Sequence, residues 1–107
     1  MTETFLFDTY ALIELLNNNP NYVGYSDKGV IINEFVFAEF CYRLIRDNVK
    51  NMNEYLDEVE QAISNPSTQV ILKAMRFRYE NKKKDLSMAD CISYIQAKEL
   101  GIKFLTG

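Results

Sequence analysis

Short apolar runs separated by helical patterns predict an α/β fold built on a short parallel sheet. Two observations carry this. Residues 4–7, 29–32 and 102–105 are brief, apolar and rich in β-branched or aromatic side chains, which suits buried strands better than amphipathic helices. Between them lie longer segments with helical spacing and recognisable caps, so the strands have helices as their connections and run parallel. At 107 residues the chain is expected to form one domain over residues 1–107, with 48% hydrophobic residues for its core.

Residues 4–7 form the first strand, ending at Asp8, and residues 10–16 the first helix, stopped by Asn17, Asn18, Asn19 and Pro20. Residues 22–28 read as a loop and residues 29–32 as the second strand. Asn33 is a good N-cap for a helix from residue 34 to about 49. Residues 35–45 of that helix are apolar nearly all round, broken by Glu39 and Arg43; with Arg46 these share one stripe. A more polar helix follows over residues 51–64, with Tyr55, Leu56, Val59 and Ile63 inward, and Pro66 breaks the chain. Residues 68–70 read as a very short strand or as an extended entry to a helix over residues 71–80, closed by Lys82, Lys83 and Lys84. Residues 87–100 are the last helix, Gly101 its C′ residue, and residues 102–105 the last strand. Ligands in such sheets bind beyond the carboxyl ends of the strands, where Asp8 and Thr106-Gly107 fall.

Composition narrows the chemistry. The sequence contains no histidine, which removes Ser-His-Asp and Cys-His nucleophiles, imidazole-based RNA cleavage and histidine metal sites. Its net charge of −3 argues against a broad basic face for nucleic acid. No apolar run reaches the roughly 20 residues of a membrane span, and the start, Thr2-Glu3-Thr4, is no basic signal-peptide region, so a cytoplasmic protein without membrane attachment is expected. Cys41 and Cys91 fall in apolar helical patterns and read as inert thiols. The Phe and Tyr residues mostly fit core periodicity.

Three acids stand out, each with a structural alternative. Asp8 could cap the first helix, with Thr9 as the other candidate cap, and Ser87 with Asp90 fits a capping box. Glu39 could pair with Arg43 at i, i+4. Taken together, carboxylates on three elements near strand ends suit a hard cation such as Mg²⁺, which takes oxygen ligands and keeps several waters. Rival acid sites fit less well. A haloacid-dehalogenase phosphatase needs a second Asp where Tyr10 stands, a receiver domain needs a central phosphoacceptor Asp, and no glycine-rich phosphate loop is present.

Phe5-Leu6-Phe7-Asp8-Thr9-Tyr10-Ala11-Leu12-Ile13-Glu14 resembles the opening of PIN domains. Ala38-Glu39-Phe40 is similar to the segment that carries their second acid, and the run from Leu86 through Asp90 to Thr106-Gly107 resembles their signature. The resemblance implies a three-layer α/β/α sandwich and an Mg²⁺- or Mn²⁺-dependent endoribonuclease, the VapC-type toxin of a toxin-antitoxin pair. It implies Asp8, Glu39 and Asp90 as catalytic, metal-binding acids, with Thr9 and Thr106 beside the pocket. RNA substrate, a cognate antitoxin and a homodimer are the implied partners. The family places a fourth acid directly after this Thr-Gly, one residue beyond Gly107. A version extended by that acid is expected to bind Mg²⁺ more tightly and to cleave faster.

Arg43, Arg46, Lys82, Lys83 and Lys84 are candidate RNA contacts, although the lysine run equally suits a solvated helix end. Surplus apolar surface on residues 35–45 suits a homodimer or an antitoxin groove. The alternative from another class is a noncatalytic PIN-like module, or an inactive shortened form, that binds protein or RNA without cleaving.

Overall fold

Among the described residues three strands pair in parallel, β1 (Thr4–Phe7) between β2 (Gly29–Ile31) and β3 (Lys103–Leu105). The structure, a computed structural model, describes residues 3–17 and 29–106. The expected Asn18-to-Pro20 helix stop, the loop at residues 22–28 and Gly107 lie outside the described residues. In the ladder Thr4 stands opposite Gly29, while Leu6 stands between Ile31 and Phe104. Gly29 suits its place because a Cβ there would meet Thr4 Oγ1 at 2.7 Å.

Alternation along β1 sends Phe5 and Phe7 to one face and Leu6 to the other. Phe5 and Phe7 join a core with α1 (Thr9–Leu16), α2 (Glu34–Arg46) and α3 (Met52–Glu60), through Leu12, Val36, Phe40, Leu44 and Val59. Burying a side chain of this size stabilises by about 1.5–3 kcal/mol. The sheet's other side is covered by α5 (Met88–Leu100), against which α4 (Thr68–Glu80) packs. Ala74, Cys91 and Ile92 form a second, smaller cluster there, flanked by Phe35, Phe77 and Ile95. Helices on both sides of a parallel sheet make the expected α/β sandwich. Among the described residues no helix is long and apolar enough to cross a membrane.

Element ends differ from the sequence expectation where a local bond decides. Residues 68–70 are neither strand nor extended entry but the first turn of α4. Ser67 Oγ accepts from Val70 N at 3.2 Å, so the cap lies upstream of Thr68. α2 stops at Arg46 rather than near residue 49, and Asn48 takes a left-handed φ of 52°. α3 ends at Glu60, short of residue 64, because the next residues are drawn to the sheet: Ile32 N donates to Ala62 O at 3.0 Å and Ser64 N to Ile32 O at 2.8 Å. The three lysines do not close α4 but form their own 3-10 turn, Lys82–Lys84, all exposed. Gly101 ends α5 as expected, at φ 71°, with Ile102 N donating to Ala97 O and Gly101 N to Lys98 O.

The aromatic residues divide by chemistry. Phe5, Phe7 and Phe40 are buried, whereas Tyr10, Tyr42, Tyr79 and Tyr94 are exposed. Core periodicity therefore describes the phenylalanines and not most of the described tyrosines, whose hydroxyls favour water.

Candidate functional site

Where β1 ends, the backbone N–H of Asp8 donates to Leu105 O at 3.0 Å, tying the carboxyl ends of β1 and β3 together. The Asp8 side chain caps α1, with Oδ1 accepting from Ala11 N at 2.7 Å. Thr9 then begins the helix and is nearly buried; its hydroxyl donates to Glu39 Oε2 at 2.8 Å across to α2. On the third element, Ser87 Oγ accepts from Asp90 N at 3.0 Å and caps α5. Only this half of the expected capping box forms among the described residues, and Asp90 is exposed.

These residues open on one cavity of about 580 Å³. Asp8, Glu39 and Asp90 all line it, together with Thr9 and Ser87. Arg43 and Arg46 line it from α2, as do Tyr42 and Ala38, one helical turn or less from Glu39. Tyr10 and Tyr42 were not read from the sequence as cavity residues. Their signal was available in Tyr42's i+3 spacing from Glu39 and in Tyr10's nearness to Asp8.

The basic residues differ in their setting. Glu39 and Arg43 do not form the i, i+4 ion pair; the ion pairs among the described residues are Arg46–Asp47 and Lys73–Glu99. Arg43 Nε is buried without a hydrogen-bond partner, an arrangement that leaves a guanidinium N–H to be satisfied. Arg46 Nε donates to Asp47 Oδ1 at 3.1 Å. Lys82, Lys83 and Lys84 do not line the acidic cavity, and Lys82 lies 4.7 Å from the centre of the Tyr79 ring. Thr106 does not line it either. It belongs to an adjoining apolar cavity that shares Asp90 and is bounded by Phe77, Tyr94 and Phe104.

The side chains that could hold a hard divalent cation are the cavity's carboxylates. Among the described residues no group of three or more acids, cysteines or histidines is drawn closely enough to hold an ion alone. A shared cavity and the lack of a tight cage are compatible, because Mg²⁺ needs only one or two direct carboxylates and retains water elsewhere. The donor set thus fits a hydrated ion bridged to some of the acids through water.

The fold is a parallel α/β sandwich, and three acids from separate elements line one cavity that includes the end of β1. The class can be stated more closely, since residues 5–107 match the PIN domain family. The chain belongs to that family, whose members are generally nucleases using divalent metal ions. Solved structures share the fold, among them PAE2754 and VapBC2. PAE2754 from Pyrobaculum aerophilum superposes with a TM-score of 0.69 at 17% identity, over 99% of this chain and 81% of that one. VapBC2 from Rickettsia felis, bound to a DNA fragment from their promoter, gives 0.68 at 18% identity, over 94% and 85%. No curated protein sequence matches the chain significantly.

Proposed function

We propose that this chain is a divalent-metal-dependent endoribonuclease and the toxin of a toxin-antitoxin pair, acting on RNA in the cytoplasm. The observation that carries the reading is one cavity lined by Asp8, Glu39 and Asp90 from separate elements and by Arg43 and Arg46. Acids and guanidiniums facing the same space suit a cation and a phosphodiester held side by side.

In this reading Asp8, Glu39 and Asp90 bind Mg²⁺ or Mn²⁺, directly or through water. The ion supplies Lewis acidity toward a phosphoryl oxygen and lowers the pKa of a bound water. Thr9 holds Glu39 in orientation through its 2.8 Å hydrogen bond. Arg43 lines the cavity and brings a guanidinium that suits a phosphate oxygen. Lys82, Lys83 and Lys84 lie off the cavity and act, if RNA extends that far, as screened phosphate contacts. Thr106 acts beside Asp90 on the apolar side.

The partner half of the reading rests on α2 and on the fold shared with VapBC2. Phe40 and Leu44 are used internally, yet Tyr42 and Ile45 remain 65% and 64% exposed, which suits a homodimer or an antitoxin.

The test is cleavage of labelled single-stranded RNA with Mg²⁺, with Mn²⁺ and with EDTA, alongside Asp90→Asn. Cleavage that needs metal and Asp90 is the expected result. The rival reading is a noncatalytic binding module. RNA binding without metal-dependent cleavage would establish that rival instead.

A further inference from the structure

We propose that Asn33, acting through Ser93 and Gln96, is a positioning residue that sets the placement of Asp90 relative to Glu39 across the acidic cavity. The inference rests on reading that cavity as a metal-dependent site. Its starting point is the division of the apolar packing. Glu39 is carried by α2, whose Val36, Phe40 and Leu44 belong to the larger core with β1, α1 and α3. Asp90 is carried by α5, whose Cys91 and Ile92 belong to the smaller cluster with α4. Phe35 of α2 also reaches that cluster, but apolar contact is non-directional and by itself specifies no single register between α2 and α5.

The polar link between them is specific. Asn33 is 0% exposed and caps α2, with Oδ1 accepting from Val36 N at 2.9 Å. Its Nδ2 donates across to α5 twice, to Ser93 Oγ at 3.0 Å and to Gln96 Oε1 at 2.9 Å. Gln96, 3% exposed, donates onward from Nε2 to Ser64 O at 2.8 Å. Ser64 N in turn donates to Ile32 O at 2.8 Å, on the residue preceding Asn33. The circuit therefore closes on itself, and each amide oxygen and nitrogen of Asn33 and Gln96 has a partner.

An N-cap needs only the oxygen, and Ser or Asp would serve as well. The buried amide nitrogen is what α2 capping does not require. Left unpaired, a buried amide nitrogen is strongly unfavourable, so the circuit holds one arrangement against alternatives. The link is also well placed as a lever. At about 1.5 Å per residue, Glu39 lies roughly 9 Å along α2 from Asn33 and Asp90 roughly 4.5 Å along α5 from Ser93. A small rotation at the circuit thus becomes a larger displacement at the carboxylates.

The experiment compares Asn33→Ser, which keeps a capping hydroxyl but cannot reach α5, with Gln96→Met, which keeps volume and loses both bonds. Val59→Ala, in the larger core with a side chain that makes none of the circuit's hydrogen bonds, controls for destabilisation alone. Mn²⁺ affinity is read by paramagnetic resonance at a temperature where every variant is folded, and the Glu39–Asp90 separation is read from crystal structures. Both circuit variants are expected to weaken Mn²⁺ binding about tenfold or more, the scale of outer-shell metal-site substitutions. They are also expected to shift Asp90 relative to Glu39, while Val59→Ala does neither. Unchanged affinity and separation in folded Asn33→Ser and Gln96→Met overturn the proposal and leave the circuit a purely stabilising one. If the wild type binds no Mn²⁺, the metal-site reading falls, and the separation alone decides whether Asn33 positions the two helices.

Discussion

Asp90 gives its backbone N–H to Ser87 Oγ, so the serine supplies the cap of α5 and the carboxylate stands exposed at the cavity. Its two readings separate by mutation. Asp90→Asn is expected to leave thermal stability within the ~0.5 kcal/mol typical of surface changes. RNA cleavage should fall by about a hundredfold or more, since the amide is a poor ligand for a hard cation. Ser87→Ala should reverse the pattern, losing about 1 kcal/mol in calorimetry with most cleavage retained. In the proposed function Asp8 combines both duties, cap and ligand. Its Oδ1 caps α1 at 2.7 Å, so Asp8→Asn should lose cleavage alone and Asp8→Ala should lose about 1 kcal/mol as well. Cys91 belongs to this scale too. Burial raises its thiol pKa, against the opposing pull of Arg78, and the side chain is 1% exposed. A maleimide should therefore label Cys91 at neutral pH only after denaturation, whereas half-buried Cys41 is more accessible; native labelling mapped to Cys91 itself would refute its buried, protonated state.

At the scale of the element, α2 serves three surfaces. Val36, Phe40 and Leu44 face the larger core, Phe35 reaches the smaller cluster, and Glu39, Arg43 and Arg46 face the cavity. Its nearly all-round apolar sequence is explained mostly by burial on two sides, and the surplus shrinks to Tyr42 and Ile45 with partly exposed neighbours. Phe40→Ala should cost about 3–5 kcal/mol in denaturant unfolding, as for other buried aromatics. Ile45→Glu should leave stability nearly unchanged and convert a homodimer to monomer in sedimentation. A wild-type monomer at tens of micromolar would remove the dimer from the proposal. The stripe of Glu39, Arg43 and Arg46 was readable from helical spacing alone. The bond from Thr9 to Glu39 was not, because the partners are 30 residues apart and meet only after α1 packs on α2.

For the whole molecule, the proposed function links metal binding to folding. A ligand that binds only the folded chain stabilises it by about 2.7 kcal/mol at a hundred times its Kd. Mn²⁺ should therefore raise the melting temperature of the wild type and not of Asp90→Asn, as calorimetry with and without EDTA would read. The net charge of −3 also sets an expectation for RNA. Among the described residues Arg43 and Arg46 are the basic ones that line the cavity, so in the proposed function RNA binding should have a shallow salt dependence compared with proteins that cover many phosphates.

The sequence by itself determined the local grammar: the strand cores, the caps at Asn33 and Ser87, the glycine stop at Gly101 and the family signature around Asp8 and Asp90. These follow from bonds and spacings within a few residues, which neighbouring side chains specify. It could not determine where α3 ends or whether Glu39 answers Arg43 or Thr9. It did not reveal that the amide of Asn33 crosses to α5, nor that the lysine turn lies away from the acids. Each of these is settled by partners brought together through tertiary packing. Ile32 pulls Ala62 and Ser64 into backbone pairing, Thr9 outcompetes Arg43 for Glu39, and Ser93 and Gln96 reach Asn33 only when both helices are docked. A buried polar group takes whichever partner the docked elements bring within reach, because leaving it unpaired costs more than any local preference gains.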